Sequence, residues 1–437
     1  MKYDDKYSSD VANFLRSPVR EIFRRVDLNA ICSFAGGYPD AATFPLDEMQ
    51  GLAARVVSKY GSRALQYGAT QGVPELRQAL FDRYLSVIAG SDRQSLANIQ
   101  ITTSSQQGID VCSRILLDPG DAVLAFSPVY LGALQSFRSY RAEVVDLALF
   151  LGAEGEATPF GSSPYGLTPP PASAGGPPAT ELWVPGKSTI FWDQPRVLRP
   201  SGSTSPSALK KARFIYVIPD FNNPSGETLS LERRKQIVEF ARKNDLLIVE
   251  DSPYRELRYS GEELPTIYSM APERTLHLGS FSKIFAPGFR LGWIFGPEEI
   301  LDKIYVCKQA LDLCPPVFDQ YLAAEFLTSG ALDANLAKSR ELYRAKRDLM
   351  LSLLDKYMPE GVSWTRPEGG LFLWLTLPES IDTVALYDRA LAAGVAYVAG
   401  SFFYPDGSHR NTMRLNFSFL DSSRMEEGVR LLASLLK

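Results

Sequence analysis

The chain has 437 residues, 45% of them apolar, with a formal net charge of -4, so it is long enough for a large core divided between two domains. Its basic residues fall only in short clusters such as Arg24-Arg25, Lys210-Lys211 and Arg233-Arg234-Lys235, which excludes an extended nucleic-acid surface, and four cysteines with two histidines at no ligand spacing exclude a metal centre or a disulfide framework. The N-terminus is polar and no stretch approaches the roughly 18 apolar residues of a spanning helix, so no membrane partner is expected and the default compartment is a reducing cytoplasm.

From the N-terminus, residues 1–45 read as an entry segment that packs with a later, smaller unit. Through residues 46–314, short apolar runs bounded by turn residues alternate with helical patterns, which predicts a mostly parallel sheet covered by helices. The seven candidate strands are Ile99 to Thr103, Ala122 to Phe126, Glu143 to Leu147, Phe214 to Ile218, Leu246 to Glu250, Thr275 to Leu278 and Leu291 to Phe295. Between the third and fourth lies a Pro/Gly/Ser-rich insertion, 151–207, too long for a compact connection and readable as either a partly ordered insertion or a lid. Residues 315–437 predict an α+β unit: helices at Asp319 to Thr328 and Leu332 to Tyr357, a strand at Gly370 to Leu377, a helix near Val384 to Ala393, a strand at Met413 to Phe419 and a closing helix from Ser422. Ligands in open α/β sheets bind beyond the carboxyl ends of the strands, so the polar residues that follow the strands are where chemistry is expected.

The stretch Ser280-Phe281-Ser282-Lys283-Ile284-Phe285-Ala286-Pro287-Gly288-Phe289-Arg290-Leu291-Gly292-Trp293 places a lysine among apolar residues, with two hydroxyls before it and an arginine after it. Desolvation and nearby cations lower a lysine's pKa and make it competent for Schiff-base chemistry, while hydroxyls and a guanidinium suit a phosphate. The segment resembles the cofactor-lysine motif of fold-type I pyridoxal phosphate enzymes, the aminotransferase superfamily. That resemblance implies a large domain with a seven-stranded, mostly parallel sheet, a smaller α+β domain, and pyridoxal 5'-phosphate bound through Lys283, Ser280, Ser282 and Arg290.

Other segments extend it. Asp251 follows a strand and precedes Tyr254 in Asp251-Ser252-Pro253-Tyr254. Alone, such an Asp also serves as a turn cap; beside Lys283 it is the carboxylate for the pyridine nitrogen, with Tyr254 on the ring's phenolic oxygen. Pro219-Asp220-Phe221-Asn222-Asn223-Pro224-Ser225-Gly226 is a turn signal by itself, and the resemblance assigns Asn223 to the phenolic oxygen and the substrate carboxylate. Thr102-Thr103-Ser104-Ser105-Gln106-Gln107-Gly108 opens a helix to Leu117, whose positive end favours an anion, although a Ser-rich start is equally a helix cap. By resemblance Ser105 and Gln106 bind the phosphate, with Ser104 where a Gly is frequent, and Tyr130 stacks on the cofactor ring. Tyr67 corresponds to a tyrosine that reaches the phosphate from the neighbouring subunit, which implies a homodimer. Arg414, between apolar neighbours in Met413-Arg414-Leu415, needs a carboxylate partner, and the resemblance supplies the substrate α-carboxylate.

Near the N-terminus, Arg16-Ser17-Pro18-Val19-Arg20 and Ser33-Phe34-Ala35-Gly36-Gly37-Tyr38-Pro39-Asp40 resemble the 2-aminoadipate/kynurenine aminotransferase group. Arg20 with Ser17 then contacts the substrate side chain, unless Arg20 is an exposed helix charge, and Gly37 allows close approach of backbone to substrate. Tyr38 stands where Leu is usual. The implied function is a ping-pong aminotransferase in which a donor L-amino acid of 2-aminoadipate, aromatic/kynurenine or branched-chain type displaces Lys283 from the cofactor, Lys283 moves the Cα proton, and a 2-oxo acid, expected to be 2-oxoglutarate, takes the amino group. A pyridoxal phosphate lyase or synthase and a cofactor-binding sensor domain are the rival readings, since a fold alone does not decide a reaction.

Overall fold

The computed structural model describes residues 30–87, 94–151 and 206–437, together with isolated positions before residue 30. The insertion predicted at 151–207 lies, apart from its ends, outside the described residues. All seven predicted strands form, within a few residues of their expected ends, and they join one sheet: β1 (Ile99–Thr102), β2 (Ala122–Ala125), β3 (Glu143–Asp146), β4 (Ala212–Val217), β5 (Leu247–Asp251), β6 (Thr275–Ser280) and β7 (Gly292–Phe295), in the order β1-β7-β6-β5-β4-β2-β3. Every pairing is parallel except those of β7, which runs antiparallel to both β1 and β6. Because β7 alone is reversed, the other six strands end at one edge.

The strands are apolar on both faces because both faces are covered, as parallel sheets require. Alternation decides which side chain goes where: Phe214 and Tyr216 of β4 pack in one cluster with Ile109, Phe137, Val249 and Leu278, while Ile215 and Val217 pack in another with Leu124, Ile237 and Ile248. Helices α1 (Ser104–Leu116) and α2 (Leu131–Ser139) cover the first face and α3 (Leu231–Lys243) the second. In α1, Gly108 lets the helix lie on Leu278 and Ile294 of β6 and β7: a Cβ there would stand 3.3 Å from Leu278. Helix α4 (Glu298–Leu311) follows β7.

Beyond it come α5 (Val317–Thr328) and the long α6 (Ala331–Tyr357), then an antiparallel sheet of β8 (Ser363–Trp364), β9 (Phe372–Thr376), β10 (Val398–Ala399) and β11 (Thr412–Asn416), and the closing α7 (Ser422–Leu435). The last long strand ends at Asn416, three residues short of the sequence expectation, because Asn416 turns its side-chain oxygen onto the amides of Ser418 and Phe419. The entry segment is stitched to this unit. Cys32–Ser33 pairs in parallel with Val395–Ala396, and the Phe34 carbonyl accepts from the Asn416 amide at 2.9 Å.

β6 carries its glycine where no side chain fits, since a Cβ on Gly279 would overlap the indole of Trp293. Gly279→Ala is therefore expected to destabilise the protein by about 1–3 kcal/mol through overpacking. A lowered urea midpoint at unchanged slope checks this; an unchanged midpoint refutes it.

Candidate active site

The common edge of the six strands gathers most of the residues singled out in sequence. Asp251 is the last residue of β5 itself, one position earlier relative to the strand end than the sequence suggested, and it is buried. Its Oδ2 accepts from the Tyr216 hydroxyl at 2.8 Å, while its Oδ1, equally buried, has no hydrogen-bond partner among the described residues. Burial pushes its carboxyl up to about 7, against the stabilising bond from Tyr216.

Lys283 follows β6 and donates from Nζ to the Gly37 carbonyl at 2.7 Å. Burial, then the charges of Arg290 and Arg414, bring its ammonium down to about 8. This is the environment the flanking sequence anticipated. Arg290, in the left-handed region at φ 49°, directs Nη2 to the Ser104 hydroxyl at 2.6 Å and Nη1 towards that of Ser282 at 3.4 Å. The Ser280 hydroxyl accepts from the Ser282 amide. Ser104 is itself left-handed, φ 69°, a conformation that disfavours any side chain by roughly 1–2 kcal/mol and explains why a glycine is frequent there. Gly292 permits the close packing beneath it: a Cβ there would stand 2.7 Å from the Ser104 carbonyl carbon.

Gln106 donates from Nε2 to the Gly132 carbonyl at 3.0 Å and accepts from the Tyr130 hydroxyl at 3.2 Å. Gly132 is obligatory at that spot, since its Cβ would press on the Tyr130 ring at 2.6 Å. On the other side, the Tyr254 hydroxyl accepts from Asn223 Nδ2 at 3.3 Å, and Asn223 Oδ1 accepts from Arg414 Nη1 at 2.8 Å. Arg414, in the middle of β11 opposite Trp374, donates Nη2 to the Ala35 carbonyl at 2.6 Å and lies over the rings of Phe372 and Phe403, 4.3 and 5.2 Å from their centroids. It is buried, its Nε has no hydrogen-bond partner, and among the described residues no carboxylate pairs with it. Burial lowers it to about 10.

Arg20 has an exposed side chain, yet its charge reaches the half-buried Tyr130, where desolvation raises the phenol and Arg414, Arg290 and Arg20 each offset part of that rise. Ser17 accepts at its carbonyl from the Glu21 amide. The Tyr38 ring lies 5.9 Å from that of Phe419. Tyr67 is 81% exposed, outside the site of its own chain. Sequence reasoning missed Tyr216, Phe372 and Phe403. Tyr216 had a signal, a hydroxyl inside the apolar strand before the Asn223 turn; the two phenylalanines had none, being ordinary core residues until Arg414 lies on them.

Pyridoxal phosphate fits this arrangement. An unpartnered buried carboxylate oxygen suits a protonated pyridine nitrogen, an accessible low-pKa lysine suits the aldehyde, and Arg290 with serine hydroxyls at a helix start suits the phosphate. A helix-covered parallel sheet with such a site defines a pyridoxal phosphate enzyme of fold type I. The chain belongs to the family described as aminotransferase class I and II, whose profile matches residues 35–151 and 206–432, and it is a pyridoxal phosphate-dependent aminotransferase. It is 37% identical over 442 residues to the aromatic-amino-acid aminotransferase 1 of Thermococcus litoralis, covering 100% of this chain and 95% of that one. Among solved structures it resembles the Pyrococcus horikoshii kynurenine aminotransferase in complex with PMP, kynurenine and its product (TM-score 0.82, 35% identity, 100% and 98% coverage). It also resembles the α-aminoadipate aminotransferase of Thermus thermophilus complexed with N-(5'-phosphopyridoxyl)-L-leucine (TM-score 0.79, 31% identity, 100% and 98% coverage).

Tyr216→Phe removes the one hydrogen bond that favours the ionised Asp251, so the carboxyl protonates at higher pH. The acidic limb of the kcat/KM profile should move up by about one pH unit, the equivalent of one hydrogen bond to a charged group. An unmoved limb would show that Asp251 does not govern it.

Proposed function

We propose that the enzyme moves the amino group of an L-amino acid of 2-aminoadipate, aromatic/kynurenine or branched-chain type to a 2-oxo acid, 2-oxoglutarate in the physiological direction, by a ping-pong mechanism. The observation that carries this reading is Arg414, a buried guanidinium held by Asn223, the Ala35 carbonyl and two aromatic rings but by no carboxylate among the described residues. A buried arginine of that kind is built for an α-carboxylate, which both amino donors and 2-oxo acceptors carry.

Bound pyridoxal phosphate supplies the carbonyl that receives the amino group and the ring that spreads negative charge from Cα. The chain's own groups do the rest. With the cofactor bound, Asp251 would keep the pyridine nitrogen protonated, and Tyr254 and Asn223 would hold the phenolic oxygen. Ser105, Gln106, Ser280, Ser282 and Arg290 would hold the phosphate, and Tyr130 would support the ring. Lys283, brought down to about 8, is a usable base near neutral pH: its Nζ would take the proton from Cα and deliver it to the cofactor C4′, across the nitrogen. Gly37, whose carbonyl already receives Lys283, brings backbone beside the same Nζ.

Specificity falls to the entry segment. Arg20, exposed to solvent, and Ser17 are the proposed contacts for the substrate side chain, Arg20 pairing with acidic ones. Tyr67, exposed on its own subunit, reaches the second site of a homodimer. The large unit spans 46–314 and the small one 315–437, and the entry segment 1–45, most of it before residue 30 lying outside the described residues, is assigned to the latter. Among the described residues no helix is long and apolar enough to cross a membrane, and the cytoplasm is the compartment proposed.

Adding glutamate, 2-aminoadipate, kynurenine and leucine separately to the holoenzyme, without oxo acid, should convert the cofactor to its pyridoxamine form, with reversal by 2-oxoglutarate. Ammonia and pyruvate from a β-substituted substrate without that conversion would instead indicate a lyase. Arg20→Ala should lower kcat/KM for 2-aminoadipate about tenfold while sparing leucine, as expected for a partly solvated ion pair; unchanged selectivity refutes the side-chain role. Arg414→Leu should raise KM for every donor by about 100-fold or more, since a buried carboxylate then loses its partner.

A further inference from the structure

The helix start that carries Ser105 and Gln106 is fastened from behind by a cluster outside the site. Thr103, before the pair, donates its hydroxyl to Asp312 Oδ2 at 2.8 Å, and Gln107, after the pair, donates Nε2 to the same oxygen at 2.7 Å. Gln107 Oε1 in turn accepts from the Thr103 amide at 2.8 Å and from Lys308 Nζ at 2.6 Å. Lys308, whose side chain is fully buried on α4, completes the ring with bonds of 2.9 and 3.1 Å to the two oxygens of Asp312. Asp312 is the residue that ends α4, where the chain then turns through a left-handed Leu313.

Two features set this apart from an ordinary surface ion pair. Burying a lysine is costly unless it is paired and hydrogen-bonded, and here its bonds run to Gln107, just after the anion-binding turn, and to Asp312, the acceptor that ties Thr103 to Gln107. The turn also needs restraint, because Ser104 is held in the left-handed region and would relax if its neighbours were free. The network grips the chain at 103 and 107, one residue outside the 104–106 segment on each side.

We propose that the Lys308–Asp312 pair is a positioning device for the phosphate-binding turn, presetting Ser105 and Gln106 to receive the cofactor phosphate. Neither residue touches the cofactor; both act through Thr103 and Gln107. The inference rests on the assignment of Ser105 and Gln106 as phosphate ligands.

The cofactor is removed from the full-length enzyme, which is then titrated with pyridoxal 5'-phosphate and, separately, with pyridoxal, which lacks the phosphate. Asp312→Asn should weaken pyridoxal phosphate about tenfold and Thr103→Val about threefold, with pyridoxal held to within about twofold, as the loss of one or two hydrogen bonds at a phosphate site predicts. If Asp312→Asn fails to fold, Thr103→Val and Gln107→Leu give the same ratio. A general structural role would weaken both compounds alike, and either that result or no change overturns the proposal. Ser105→Ala is the parallel measurement on the assignment beneath it. If it lowers the affinity for pyridoxal phosphate selectively while Asp312→Asn does not, the positioning role alone is wrong; if it lacks that selectivity, the assignment fails and the proposal falls with it.

Discussion

A carboxylate buried with one hydrogen bond is the constraint around which the large unit is arranged. Asp251 terminates a central strand, where the apolar layers on both faces strip it of water, and only Tyr216 on the adjacent strand bonds it. Folding has to carry that cost, because an ionised carboxylate in such surroundings is several kcal/mol worse off than in solution unless a cation joins it. The sheet is what makes the cost bearable. Tyr216 is fixed by parallel pairing with β5 and Asp251 by parallel pairing with Leu278 of β6, so the carboxylate cannot swing out to solvent.

Arg414 poses the same problem with the opposite sign. Its guanidinium is sandwiched by Phe372 and Phe403 and bonded to an amide oxygen and a carbonyl, all neutral partners. The two charges lie in different sheets: Arg414 is bonded to Asn223, which in turn bonds Tyr254, while Asp251 is bonded by Tyr216. Lys283 sits in the field of Arg414 and Arg290, which lowers its basicity. A buried anion, a buried cation and a lysine kept from full protonation by its surroundings form one electrostatic unit.

Much of this was legible in the chain. The seven strands of the large sheet show as apolar runs because parallel strands are covered on both faces, and Lys283, Asp251, Asn223 and Arg414 each occur beside turn residues or in strand patterns that make them conspicuous. The reversal of β7 was not legible, since an apolar run carries no sign of direction. Nor was the pairing of Tyr216, a hydroxyl visible in an apolar strand but with its partner 35 residues away on another strand, or the Lys308–Asp312 ring, which joins a helix end to a turn some 200 residues earlier. Such pairings depend on which elements become neighbours, and local pattern contains nothing about that. Ser104 lies between: its presence where a glycine is frequent hinted at the left-handed backbone that the structure has.

The stretch from Ala35 to Asp40 touches, through its backbone, more of the machinery than its size suggests. Ala35 receives Arg414, Gly37 receives Lys283, Tyr38 receives the Ser418 hydroxyl, and the Asp40 amide donates to Tyr343. All four contacts use main-chain atoms, so they survive many substitutions but no change in length. The chain accommodates a long segment between residues 151 and 206, where the family match pauses, whereas a single residue gained or lost between 35 and 40 would put these contacts out of step. At Tyr38, whose contact is made by its carbonyl, the side chain can therefore change, while the residue count of the segment cannot.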